Sequence, residues 1–187
     1  VLFRSWPLAR AVSTRFHLHS GGRANSAAGD GLISRETPGS EPADRFVYDP
    51  AKPVPTLGGA ILGITQPPAG PYDQRPIETR DDVLVYTTAP FEQPLEVTGP
   101  LALEAYISSS AVDTDLVGKL VDVYPDGKAI NLSEGILRLR YRNSFERQEL
   151  MEPGKIYKVT VDLWATSNVF LPGHRLRLEV TSSSYPR

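Results

Sequence analysis

The stretch "HRLRLEVTS", residues His174 to Ser182, alternates apolar and polar side chains with a period of two residues. The apolar set is Leu176, Leu178 and Val180, and the polar set is Arg175, Arg177 and Glu179. Successive side chains of a β-strand point to opposite faces of its sheet, so this alternation predicts a strand with one face on a core and one polar face.

The same pattern recurs along the chain. "LALEAYIS" (101–108), "LRLRYR" (137–142) and "KIYKVTVDLWA" (155–165) alternate clearly, and "RFVYD" (45–49), "DVLVYTT" (82–88) and "LEVTG" (95–99) are shorter candidates. Turn signals separate them, namely Asp49-Pro50, Pro125-Asp126-Gly127, Pro153-Gly154 and Pro172-Gly173. Many short strands divided by Gly/Pro turns predict an all-β fold, an antiparallel β-sandwich or jelly roll.

Composition narrows the possible functions. The chain has 187 residues and a formal net charge of -2, so neither nucleic acid nor a membrane is an expected partner. Cysteine is absent, which excludes disulfides, thiol nucleophiles and cysteine-based zinc sites. The opening residues lack the long apolar region of a signal peptide, which favours a cytoplasmic location. We expect no cofactor.

Domain organisation follows from a change of composition. Residues 20–44 are rich in Gly, Ser, Ala and Pro, which predicts a loop or linker, with the compact domain running over 45–187. "VLFRS", Val1 to Ser5, is what a GTG-initiated reading of a common sequencing adapter would encode, so we expect these residues to be non-native.

The sequence contains no recognisable catalytic motif. G-x-S-x-G, S-x-x-K, H-E-x-x-H and the phosphate-binding glycine loops are all missing. His17 and His19 would share a face of a strand, but no further ligand lies near them in sequence. His174 is interpreted as a turn residue, since no hydroxyl or carboxylate stands at a meaningful spacing from it.

Four aspartates lie close together in "SSSAVDTDLVGKLVDVYPDG", residues 108–127. Asp113 and Asp115 precede a predicted strand, Asp122 lies within it on a largely apolar face, and Asp126 is in the turn that follows. A metal site or a proton-transfer pair needs convergent carboxylates. These acids are predicted to point in different directions, with Asp122 paired or near a rim.

Several long motifs in the right order resemble one family. "YDPAKPVPTLGG", "GPYDQRPIETRDDVLVYTT", "PLEVTGPLALEAYISSSAVDTDLVGKLVDVYPDGKAINLSEG" and "ATSNVFLPGHRLRLEVTSSSYPR" look like the C-terminal domain of cocaine esterase and X-Pro dipeptidyl-peptidase-type serine hydrolases. The resemblance implies a galactose-binding-like jelly roll that packs on an α/β-hydrolase domain carrying the Ser, Asp and His triad. It implies hydrolysis of esters or amides by the parent protein, and no catalytic residue in this chain.

The resemblance also carries expectations for single regions. "WPLARAVSTRFHLHSGG" resembles the crossover strand that leads out of the catalytic domain, so 1–44 is expected to be that strand and a linker. The family continues past Arg187 with at least one more strand, so the jelly roll is expected to be truncated at its C-terminal end. The "DTD" motif maps onto Asp113, Thr114 and Asp115 as a structural signature, together with Asp122.

The loop after "LGG" approaches the active-site cleft in the family. Here it reads Ile61, Leu62, Gly63 and Ile64, which suits the wall of a pocket for an acyl or aryl group in a substrate shared with the catalytic domain. The alternative for these residues is ordinary core packing.

Two other readings of the whole chain stay open. A free-standing carbohydrate-binding jelly roll would use exposed aromatic residues such as Trp164 and Tyr157, although the face that Tyr157 shares with Val159 favours its burial. A calcium-stabilised interaction module would use Asp113 and Asp115.

Overall fold

The computed structural model describes residues 5–61 and 67–187, and it is built from β-strands. The strands are β1 (His17–His19), β2 (Leu32–Ser34), β3 (Leu84–Thr87), β4 (Leu95–Ile107), β5 (Asp115–Val123), β6 (Ala129–Arg138), β7 (Tyr157–Phe170) and β8 (Arg175–Thr181). One 3₁₀ turn, Leu139–Tyr141, follows β6. The prediction of an all-β sandwich is confirmed.

Two sheets form the sandwich. The larger has six strands in the order β1-β2-β3-β8-β5-β6, and the smaller pairs β4 with β7. All described pairings are antiparallel except that of β2 with β3, which is parallel. The order places β8, the strand of the opening stretch, between β3 and β5 at the centre of the larger sheet.

The main core lies between the two sheets. Its apolar side chains come from alternate positions of both, including Leu103, Val161 and Leu163 of the smaller sheet and Leu116, Leu120, Leu176, Leu178 and Val180 of the larger. Gly118 of β5 lets the sheets approach, because a Cβ there would lie 2.9 Å from Leu163 Cδ2 and 3.0 Å from Leu103 Cδ2. The apolar face of the opening stretch therefore packs on this core, as its alternation predicts.

The second face of the larger sheet is also covered. Residues 51–61 and 67–83, here called the covering segment, lie on it and contribute Val54, Ile77 and Val83 to a second apolar cluster with Val85 of β3. Hydrogen bonds tie the segment to the sheet, among them that from the Gln74 amide to the Ala129 carbonyl at 2.7 Å. The larger sheet is therefore buried on both sides around β8 and β5.

The segment 20–44 differs from the predicted linker. It contains β2, whose Ile33 is buried in the main core, and Ala24 is buried beside it. Backbone bonds join the segment to β3, including that from the Val85 amide to the Ala24 carbonyl at 2.7 Å. Small residues allow this close approach: a Cβ on Gly31 would lie 2.1 Å from the Val85 carbonyl oxygen.

Four predicted strands also differ from the structure. "RFVYD" has no strand, and "LRLRYR" leaves β6 at Arg138 for the 3₁₀ turn. "LEVTG" and "LALEAYIS" join into the single long strand β4, which runs through Gly99 and Pro100. Gly99 has a φ of 145°, a conformation that glycine adopts without a steric penalty.

A bulge in β7 displays an exposed tryptophan. The register of the β4–β7 pair shifts between Pro100 and Ala102, so β7 carries one extra residue there. Trp164 has a φ of 64° and its side chain is 66% exposed. Its amide donates to Asp162 Oδ1 at 2.7 Å, which helps to hold this left-handed conformation.

Replacing Trp164 by glycine is expected to raise the free energy of unfolding by about 1 kcal/mol, because glycine adopts the left-handed conformation without steric cost. Urea denaturation of the chain measures the change. Tyr106→Gly is the control, since Tyr106 is an exposed residue of β4 with no left-handed backbone. That control should lose about 0.5–1 kcal/mol. An equal loss in both variants would contradict the assignment of strain to Trp164.

Candidate functional site

The four clustered aspartates have partly overlapping partners. Asp113 accepts the Arg140 amide at 2.9 Å and forms an ion pair with the Arg140 guanidinium at 3.0 Å. Asp115 forms a two-point ion pair with Arg138, whose guanidinium also lies 3.9 Å from Asp113 Oδ2. These contacts fasten the loop before β5 to the end of β6. Asp126 accepts the Lys128 amide at 3.0 Å within its turn. Asp113 and Asp115 thus share the Arg138 guanidinium, whereas Asp126 holds a separate turn.

Asp122 has a partner that is far away in sequence. Its Oδ1 lies 2.8 Å from Nδ1 of His174, and both side chains are buried. The imidazole also packs against the Tyr124 ring, with ring centroids 4.4 Å apart and the ring planes tilted by 45°. Asp122 is therefore paired, as an acid on an apolar face must be. His174 does stand in a turn, but the alternation pattern gave no sign of a carboxylate 52 residues before it.

The two N-terminal histidines do not gather further ligands. His19 Nδ1 lies 2.8 Å from Glu41 and Nε2 lies 3.0 Å from Ser34. The hydrogen bond from His19 lowers the pKa of the Glu41 carboxyl below its usual value. In the ranges 5–61 and 67–187, no group of three or more His, Asp and Glu side chains could hold a metal ion.

The aromatic residues considered for glycan binding do not form a platform. Tyr157 is half-buried, with the Arg142 guanidinium 4.4 Å above its ring and its hydroxyl accepting the Glu152 amide at 2.9 Å. Trp164 projects from the bulge seven residues later, on the opposite set of alternating positions.

The predicted pocket wall lies between two paired glycines, Gly59 and Gly70, which we call the stem. Gly59 and Gly70 exchange two backbone hydrogen bonds, of 2.7 and 3.0 Å, which close the intervening residues 60–69 into a loop. Ile61, at the base of that loop, is buried. Leu62, Gly63 and Ile64 lie outside the described residues.

Glycine is required at the stem. Gly59 has a φ of 78°, and a Cβ on it would lie 2.2 Å from Glu134 Oε1 of β6. That Glu134 carboxylate also forms an ion pair of 2.5 Å with Arg187. The stem therefore rests directly on a buried carboxylate of the larger sheet.

Glu134 is one end of a row of buried charges. Register places Glu179 of β8, Lys119 of β5 and Glu134 of β6 side by side across three neighbouring strands. Their exposed fractions are 1%, 1% and 3%. We call these three residues the ionic row. It lies on the face of the sheet that the covering segment closes off from solvent.

The covering segment adds polar groups above the row. Glu78 is buried and pairs with Arg177 of β8 at 2.6 Å, while Gln74 Oε1 lies 3.4 Å from Lys119 Nζ. Burial raises the pKa of the Glu179 carboxyl well above its usual value, and the neighbouring Glu78 carboxyl adds to this while Lys119 opposes it. Together with the ionic row, these groups of the covering segment form what we call the ionic layer. The stem of the predicted pocket wall thus rests on a buried ionic layer.

The alternation of apolar and polar residues did not predict this buried ionic layer. Arg177 and Glu179 belong to the polar face of the opening stretch, and a polar face normally indicates solvent. One signal was present, because Lys119 is a lone charge on the otherwise apolar face of Val117, Val121 and Val123. Such a charge needs a buried partner or a covering polar segment.

Comparison with known proteins identifies the family to which the chain belongs. Residues 2–187 match the family described as the X-Pro dipeptidyl-peptidase C-terminal non-catalytic domain. Cocaine esterase of Rhodococcus sp. (strain MB1 Bresler) is 51% identical over 182 residues, which cover 97% of this chain and 32% of the esterase. The family resemblance read from the sequence is confirmed.

Two solved structures share the fold at substantial identity. An aminopeptidase from a marine sediment archaeon, Thaumarchaeota archaeon, has a TM-score of 0.79 at 34% identity, covering 97% of this chain and 31% of the aminopeptidase. An α-amino acid ester hydrolase has a TM-score of 0.74 at 30% identity, covering 89% of this chain and 29% of the hydrolase. The chain therefore spans about a third of the length of the relatives it matches.

In the part of the chain that the structure describes, no helix is long and apolar enough to cross a bilayer.

Proposed function

Because this chain belongs to the family of X-Pro dipeptidyl-peptidase C-terminal non-catalytic domains, we propose that it works as one part of a larger serine hydrolase. Its partner is an α/β-hydrolase catalytic domain in the same parent protein, and that domain supplies the Ser, Asp and His of the triad. The observation that carries this proposal is the match to about a third of cocaine esterase at 51% identity. The parent enzyme is taken to work in the cytoplasm.

The chain's own contribution to the reaction is the loop 60–69. Its Ile61, Leu62 and Ile64 form an apolar wall of the substrate pocket at the domain boundary, where ligand pockets are common. The stem geometry supports this role. Two backbone hydrogen bonds between Gly59 and Gly70 and the contact with Glu134 hold the base of the loop in one position.

The wall is tested in the full-length parent hydrolase. Leu62→Ala removes apolar contact with the substrate acyl group, so kcat/KM for p-nitrophenyl butyrate should fall about tenfold relative to p-nitrophenyl acetate. The matched control is Leu150→Ala, since Leu150 is an exposed leucine in the loop before β7. It should leave the ratio of the two kcat/KM values unchanged.

Two outcomes would contradict the proposal. An unchanged butyrate-to-acetate ratio in Leu62→Ala would remove the loop from the pocket wall. Turnover of p-nitrophenyl acetate by the purified 187-residue chain, abolished by a substitution within it, would show that the chain has a catalytic site of its own. We expect this chain alone to show only background hydrolysis.

A further inference from the structure

Glu78 and Glu179 meet in the ionic layer without enough hydrogen-bond donors. Both oxygens of Glu179 and Oε1 of Glu78 are buried with no donor among the described residues. A buried carboxylate oxygen without a donor carries the full cost of its desolvation. A proton on one of the two carboxyls removes this cost, because that group then donates to the other.

We propose that Glu78 and Glu179 share one proton at neutral pH, and that this proton holds the turn of residues 74–78 on the larger sheet and is lost to solvent as the pH rises. The turn is defined by hydrogen bonds from the Ile77 and Glu78 amides to the Gln74 carbonyl, of 2.9 and 3.2 Å. It belongs to the covering segment, which also carries the stem of the 60–69 loop.

The charged groups around the pair favour this arrangement. Arg177 of β8 is occupied with Glu78 Oε2 at 2.6 Å, and Arg187 is occupied with Glu134 of β6 at 2.5 Å. Lys119 of β5 is the remaining cation facing Glu179, and no ion pair within 4.0 Å joins the two in the described residues. Its ammonium faces Gln74 Oε1 instead.

An alternative arrangement is an ion pair between Lys119 and an ionised Glu179. It would require the ammonium to move from Gln74 towards Glu179. It would also leave two ionised carboxylates, those of Glu78 and Glu179, as neighbours in the buried layer with no proton between them. Two carboxylates that share a buried site do not both ionise readily, which is why one of them keeps its proton.

The sign of the pH effect follows from proton linkage. Burial raises the pKa of Glu179 in the folded chain, whereas in the unfolded chain the group titrates near the usual glutamate pKa of 4.5. The folded state therefore binds a proton that the unfolded state has released. The stabilisation is complete below the unfolded value and is lost as the pH rises through the folded value.

Hydrogen exchange of the purified chain between pH 6 and pH 9 tests the proposal. After correction for intrinsic exchange, opening of the 74–78 turn should increase by up to about tenfold per pH unit, the limit for release of one proton. Glu179→Gln should remove this dependence, because its amide keeps a donor at every pH. Glu104→Gln is the control, since Glu104 is half-exposed on β4 beside Lys158, and it should keep the dependence.

Infrared spectroscopy of the wild-type chain tests for the shared proton even if Glu179→Gln fails to fold. A carbonyl band of a protonated carboxyl should be present at pH 7 and disappear towards pH 9. Its absence at pH 7 would mean that Glu179 is ionised beside Lys119 and would overturn the proposal. Equal pH dependence of the turn in wild type and Glu179→Gln would also overturn it. Neither result bears on the pocket wall, which is tested separately in the full-length hydrolase.

Discussion

Gly135→Ala is expected to lower the free energy of unfolding by about 3 kcal/mol or more, the upper end for overpacking a well-packed core. Gly135 of β6 lies opposite Gly118 in the β5–β6 register, where the two sheets meet. A Cβ on Gly135 would lie 1.9 Å from the Asp162 carbonyl oxygen of β7. The obstacle is backbone, so the sheets themselves must separate to make room.

The steric origin of this effect can be isolated. Gly135 does not have a left-handed φ, so alanine meets no conformational penalty there. The matched control is Gly39→Ala, because a Cβ on Gly39 meets nothing within 4 Å and its φ is likewise ordinary. Urea denaturation should show the control within about 0.5 kcal/mol of wild type, or slightly more stable. Similar losses in both variants would refute the proposed contact between the sheets.

This contact also shows what periodicity can and cannot predict. Alternation located β7 and β8 because each directs its apolar set of side chains into the main core and has a polar set on its other face, which is the condition under which period-two patterns arise. The same alternation contains no information on which strands are neighbours. The facing of Gly118 and Gly135 therefore became visible only in the register of the folded sheet.

The prediction of a linker over residues 20–44 was wrong for a related reason. A segment rich in Gly and Ser predicts a loop when small residues have nothing to pack against. Here small size is needed, because Gly31 must pass within van der Waals contact of the β3 backbone. Composition gives the same signal for a flexible linker and for a strand that must fit a narrow space, so β2 was missed.

The candidate site was predicted in part. The aspartates were expected to point in different directions. Asp122 and Asp126 have separate partners, whereas Asp113 and Asp115 share Arg138, and most of these partners come from distant strands and turns. The ionic layer was missed for a different reason. Its members lie on faces that become buried only because the covering segment folds over the sheet, and no local pattern records that long-range event.

Arg177→Met is expected to have the second large effect on the free energy of unfolding. It tests whether the polar face of the opening stretch, His174 to Ser182, is buried in the folded chain. Alternation alone would leave Arg177 in solvent, where its loss would cost little. The structure pairs it with Glu78 at 2.6 Å, with side chains only 13% and 2% exposed. Its removal leaves the buried Glu78 carboxylate without its ion-pair partner, so the free energy of unfolding should fall by about 3–5 kcal/mol in urea denaturation at pH 7.

Two comparisons distinguish the stability lost through an unpaired buried charge from the stability lost through poorer packing. Arg10→Met breaks a pair with Glu96 whose side chains are 64% and 45% exposed, and it should cost no more than about 1 kcal/mol. Adding Glu78→Gln to Arg177→Met removes the stranded charge, so the double variant should be more stable than Arg177→Met alone. If the double variant is no more stable, the loss arises from the packing of the arginine stem. If Arg177→Met costs no more than Arg10→Met, the covering segment does not close over β8 in solution, and the polar face of "HRLRLEVTS" is solvated after all.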